Sequence, residues 1–199
     1  GVLLMVIAVL MALEPHASGM VLLVGIGAVL MVVGGIDWRW VAAGLTAGAA
    51  GGYLMLFTDL MEKIGYNSDR ITTWRDAFWD AQDKSFQMAQ SLIAIGSGGL
   101  LGLGLGKGRQ KFMFLPEEHN DFIFAIVCEE LGLVGATLIM ILFALLIIRG
   151  YWLAIHAKDR FGSLLIVGVT TQIALQTFLN IAVVTGLIPA TGISLPFFS

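Results

Sequence analysis

From residue 122 to residue 148 the chain carries only two charged side chains, Glu129 and Glu130. A helix needs roughly 20 apolar residues to cross the ~30 Å hydrocarbon core of a bilayer, so a run this long and this oily constrains the fold first. Residues 19–36, 40–58 and 162–188 are further candidate spans, and residues 1–13 (GVLLMVIAVLMAL) read as the end of another. The whole chain is 58% hydrophobic and 13% charged, with a mean hydropathy of +0.90. Soluble domains carry about 25% charged residues, so a water-soluble enzyme is excluded, as are disordered and fibrous chains. The net charge of −3 gives no case for nucleic acid. A single cysteine, Cys128, leaves no intrachain disulfide. The chain opens inside an apolar run without an initiator Met and stops abruptly at Ser199. It reads as a fragment of a longer membrane protein.

Three parts follow from the charge distribution. Residues 1–58 are transmembrane helices (a partial span, then two spans), residues 59–121 a large loop, and residues 122–199 transmembrane helices with the start of a further span. Residues 88–106 hold six glycines in an otherwise apolar stretch. Each Gly costs about 1 kcal/mol in a helix relative to Ala, so this stretch is expected to be re-entrant or interfacial. Lys and Arg in short loops favour the cytoplasm. If 88–106 does not cross, the loop of Arg39 and the loop of Arg149, Lys158 and Arg160 share the cytoplasmic side, and 59–121 is extracellular. That loop holds sixteen of the 25 charged residues in about a third of the chain, which marks it as functional rather than connective.

Within it, KGRQKFMFLPEEHND at 107–121 carries the densest chemistry. Lys107, Arg109 and Lys111 alternate at the membrane edge, where clustered cations suit a diphosphate or rest on anionic lipid. Past Pro116 come Glu117, Glu118, His119 and Asp121. A carboxylate at the mouth of a span loses water and becomes suited to general-base work; equally, Asn120 or Asp121 suits the N-cap of the helix that follows. A divalent cation, magnesium or manganese, bridging Asp121 and a diphosphate is one reading of these hard oxygen donors, although the spacing specifies no metal cage. On a regular helix Cys128, Gly132 and Gly135 share the face of Asp121, with Glu129 ~80° away and Glu130 opposite. Gln172, Gln176 and Asn180 form a polar stripe in the last span, read as amide glue between helices or as the lining of a headgroup cavity. Gly102-x-Gly104-x-Gly106 lacks a preceding strand, and Gly106-Lys107 lacks the other P-loop residues, so neither is a nucleotide motif.

The run QSLIAIGSGGLLGLGLGKGRQKF, continued by LPEEHNDFIFAIVCEELGLVGA, resembles the SEDS proteins (shape, elongation, division, sporulation). EPHASG at 14–19, Arg70, Trp74 with DAFWD, and NIAVVTGLIPATGISLPFFS at 180–199 extend the likeness over nearly the whole chain. RQKF and HNDF resemble the FtsW/SpoVE branch more than the RodA branch. The resemblance implies an all-α, polytopic transmembrane bundle of ten spans with a large extracellular loop, here represented by its C-terminal half, in the bacterial plasma membrane. It implies a peptidoglycan glycosyltransferase that polymerises lipid II, working with a class B penicillin-binding protein and other divisome or sporulation proteins. On the motif it makes Asp121 the essential acid. Lys107, Arg109, Lys111, Glu117, His119 and Arg70 are the expected substrate contacts. A lipid II flippase and a non-catalytic divisome scaffold are the alternatives.

Overall fold

A computed structural model describes residues 17–44, 46, 74, 76, 85–108 and 121–198. Residues 1–13, most of 45–73, and Arg70, Arg109, Lys111, Glu117 and His119 lie outside the described residues. The described residues contain helices and turns and no strand, in line with the all-α expectation. We label the helices α1 (Ala17–Val33), α2 (Phe86–Gly98), α3 (Ile123–Ile155) and α4 (Arg160–Val184); residues 38–44 are also helical. Of these, α3 and α4 are long and apolar enough to cross a membrane. With 13 residues, α2 is only about 20 Å long, shorter than the hydrocarbon core.

The chain divides into two compact units, the first taking in residues 1–68 and 151–172 and the second residues 69–150 and 173–199. In the first, α1 ends in a Schellman turn. Gly35, at φ +96°, lets its own N–H reach Val32 O (3.1 Å) and the N–H of Ile36 reach Met31 O (3.0 Å), closing carbonyls the helix would otherwise leave open. The side chain of Asp159 caps α4 by accepting from the N–H of Gly162 at 2.7 Å. Ser163 donates to Ala154 O at 2.8 Å, and the Tyr151 and Thr171 hydroxyls meet at 2.9 Å. These polar stitches hold the end of α3 to the start of α4. Val33 and Gly34 share one small cavity with Arg160, Ser163 and Leu164, so the turn after α1 and the start of α4 lie at the same end of this unit. The sequence places Arg149 in a loop; it lies inside α3, which runs on to Ile155 before the short 156–159 turn.

Among the described residues, the second unit holds the hydrophobic core cluster. Ala94 of α2 packs with Phe122, Phe124, Ala125, Cys128 and Phe143 around α3, and with Val183, Val184 and Leu195 at and beyond the end of α4. Ser91, fully buried, donates to Val184 O at 3.0 Å. The last span is shorter than the sequence suggests: α4 stops at Val184, where Gly186 (φ +74°) builds a second Schellman turn with Gly186 N–H to Val183 O and Leu187 N–H to Ala182 O. Trp74 Nε1 donates to Gly186 O at 3.0 Å, which ties part of the polar segment to that helix end.

Candidate functional site

The glycine-rich segment after α2 is joined to α3 by an exchange of backbone hydrogen bonds. In an unbroken helix the N–H groups of Leu133 and Val134 would bond the carbonyls of Glu129 and Glu130, four residues back. Here Gly132 sits at φ 67°, ψ −170°, a region open in practice to glycine alone, and the ladder parts. The N–H groups of Leu133 and Val134 donate instead to Gly99 O (2.9 Å) and Leu100 O (3.1 Å), while Glu129 O and Glu130 O accept from Leu103 (2.9 Å) and Gly104 (3.0 Å). These four backbone groups all find partners across the break, as unwound backbone inside a membrane protein requires. The approach is so close that a Cβ on Gly98 would overlap the Cys128 carbonyl, one on Gly102 the Glu130 carbonyl, and one on Gly132 the backbone of Gly102.

This splice corrects the regular-helix reading of α3. Gly132 is the break itself, so the 100° wheel drawn from Asp121 through Gly135 does not hold across it. Glu129 is buried, 1% exposed. A Cβ on Gly108 would lie 2.9 Å from Glu129 Oε2, so the chain leaving the splice passes directly over that carboxylate. Glu130 Oε1 is buried without a hydrogen-bond partner among the described residues. Lys107 is exposed, its N–H bonded to Gly104 O at 3.0 Å.

Asp121 stands just before α3, part-buried. The helix begins at Ile123, which puts Phe122 in the cap position and Asp121 one residue upstream of it. A second segment faces Asp121. Gly192, exposed and at φ +71°, would bring a Cβ within 3.6 Å of Asp121 Oδ2, so the carboxylate lies over the turn that follows α4. Asn180 joins the two. Its Nδ2 donates to Asp121 O and to Ile193 O, each at 2.8 Å. Ile193 and Leu195, both buried, seat that turn in the core. The Thr191 hydroxyl oxygen is buried there with no partner among the described residues.

The expected site residues thus divide. Asp121 and Lys107 are described; Arg70, Arg109, Lys111, Glu117 and His119 are not. Among the described residues no three His, Cys, Asp or Glu side chains gather to hold a metal. The polar stripe of α4 separates by burial: Gln172 is exposed, Gln176 part-buried and Asn180 fully buried. Asn180 bonds backbone carbonyls rather than another helix's side chains. The sequence signal for it was present, an amide in an oily helix, but its partners were not. The 190–193 turn carried no signal of its own beyond its part in the family likeness.

A family model described as Cell cycle protein, and named for FtsW, RodA and SpoVE, matches residues 1–199. Stage V sporulation protein E of Bacillus subtilis (strain 168) is 51% identical over 143 residues, covering 72% of this chain and 39% of that protein. A protein named Probable peptidoglycan glycosyltransferase FtsW, from Geobacter sulfurreducens, is 39% identical over 198 residues, covering 98% of this chain and 52% of that protein. A solved structure described as "Structural coordination of polymerization and crosslinking by a peptidoglycan synthase complex" aligns with a TM-score of 0.76 at 26% identity, over all of this chain and 54% of that one. The chain therefore spans about half the length of the relatives it matches, or less.

Proposed function

Because the chain belongs to the FtsW, RodA and SpoVE family of cell cycle proteins, we propose that it forms part of a multi-pass membrane glycosyltransferase that joins lipid-linked disaccharides, lipid II, into glycan strands. The observation that carries the proposal is the carboxylate of Asp121, set at the entry of a membrane-length helix and laid over the exposed Gly192 turn.

In the proposed reaction Asp121 takes the proton from the 4-hydroxyl of one lipid-linked sugar. The freed oxygen attacks the anomeric carbon of the second substrate, the new glycosidic bond forms, and the bond to the undecaprenyl diphosphate breaks, its electron pair leaving on the diphosphate. One carboxylate serves because the leaving group is already activated, unlike in glycoside hydrolysis. Lys107, Arg109 and Lys111 are the proposed cations that neutralise the departing diphosphate, with Glu117, His119 and Arg70 as further substrate contacts. A divalent cation on the diphosphate would add positive charge there. The described residues offer Asp121 as its one carboxylate donor at this end of α3, and no step of the scheme depends on it.

The proposed orientation sets residues 59–121 outside the cell. Helix α3 joins Asp121 at one end to Arg149 and, past its end, to Lys158 and Arg160; a helix that crosses the bilayer puts those cations on the side opposite Asp121, and short-loop cations favour the cytoplasm. A class B penicillin-binding protein is the proposed partner, in keeping with the crosslinking named in the description of the structural neighbour.

The test is polymerisation of purified lipid II in detergent by a full-length family protein carrying these residues. Asp121→Asn should reduce glycan synthesis to background, at least about 1,000-fold, while the protein stays folded. Retained synthesis would remove Asp121 from the base role. Absence of polymer from the unmodified protein in detergent, together with lipid II movement across vesicle bilayers, would instead support a flippase.

A further inference from the structure

We propose that Asn180 is a positioning residue for Asp121, acting through the backbone and holding the carboxylate over the Gly192 turn. The inference rests on the role proposed above for Asp121 and assigns a function to a residue of a different helix, 59 positions away.

Three observations converge on it. Asn180 is wholly buried in an apolar helix, where an unpaired amide is costly. Both hydrogens of its one amide nitrogen are used, on Asp121 O and Ile193 O at 2.8 Å each. Because both partners are carbonyl oxygens, which only accept, the amide nitrogen must face them and the orientation of the side chain follows. Its other end, Oδ1, is buried with no partner among the described residues, so among these the side chain is held by its donors. The two carbonyls it gathers belong to the residue bearing the carboxylate and to the residue after Gly192, over which that carboxylate lies at 3.6 Å from the glycine's absent Cβ. One side chain thus fixes both walls of the place where a substrate hydroxyl would be deprotonated. A catalytic group displaced by about 1 Å can lose on the order of 100-fold in rate, so a clamp on its backbone acts on the chemical step more than on substrate binding.

The experiment uses the full-length protein, purified lipid II, and kcat and KM measured per folded enzyme, with thermal unfolding in detergent as the fold control. Asn180→Ala and the isosteric Asn180→Asp, which loses the donors, should both lower kcat by about 10- to 100-fold and leave KM within about 3-fold. Thr177→Val is the control: Thr177 is buried on the same helix, and its hydroxyl oxygen is unpartnered among the described residues, so kcat should stay within 2-fold on the order expected for a residue outside the site. If Asn180→Ala does not fold, Asn180→Ser decides by the same kcat criterion. Reduced thermal stability with an unchanged kcat per folded enzyme would make Asn180 structural and overturn the inference. Asp121→Asn run alongside separates the two ideas: if it still polymerises lipid II, the role of Asp121 falls; if it is inactive and the Asn180 variants retain full kcat, only the positioning inference falls.

Discussion

The α3 helix is held at two irregular places by opposite means. At Gly132 the contact is backbone to backbone: four hydrogen bonds exchanged with residues 99–104 and no room for a side chain. At Asp121 the contact is one side chain, the Asn180 amide, reaching two carbonyls. The first junction tolerates no added atom, because the clashing partners are main-chain groups that cannot rotate away. The second leaves its surroundings open: Gly192 is exposed and Asp121 part-buried, as the proposed role of Asp121 in admitting a substrate hydroxyl would need. A backbone splice on one side of the Glu129 region and a side-chain clamp at the mouth of the helix thus hold α3 by different means.

The largest effect should come from Gly132→Ala. The backbone region alone costs about 1–3 kcal/mol for a residue with a Cβ, and the overlap with Gly102 adds to it. Loss of at least 3 kcal/mol is expected on the order of severe core changes, seen as failure to accumulate folded protein in the membrane; a stable Gly132→Ala protein would show that the splice is not rigid. Ser91→Ala strands the Val184 carbonyl in the core and should cost about 1–2 kcal/mol in thermal unfolding. Asp159→Ala removes the α4 cap and should cost about 1 kcal/mol. Gly35→Ala sharpens the comparison most directly. Gly35 also has a positive φ, but a Cβ there meets nothing within 4 Å, so only the conformational cost of about 1 kcal/mol applies. A loss at Gly35 equal to that at Gly132 would mean that backbone conformation, rather than close approach, governs both.

Much was legible from the residues. The long apolar run at 122–148, interrupted by Glu129 and Glu130 alone among charged residues, argued for a membrane-length helix, and α3 is long and apolar enough to be one. The stretch 88–106 divides at Gly98 into the greater part of α2 and the splice segment; its re-entrant or interfacial placement is part of the proposed orientation. The family expected from the LPEEHNDFIFA and GSGGLLGLGLG runs is the family the chain matches. The end of α4 was misjudged by four residues, although Gly186 followed by Pro189 is a stop signal of the kind that ends helices; the apolar residues between them extended the run past it. The wheel drawn through Gly132 failed for a deeper reason. Nothing local distinguishes a glycine that packs inside a helix from one that breaks it.

What the sequence by itself determined is the solvent this chain folds in and the chemistry available at its polar boundary, because hydropathy, charge and residue type are properties of single positions and short runs. Only the tertiary structure decided which carbonyl each freed N–H meets at Gly132 and which backbone the Asn180 amide holds. Those choices join residues from 13 to 59 positions apart, and a hydrogen bond depends on distance and angle between its ends, which no composition or spacing along the chain records.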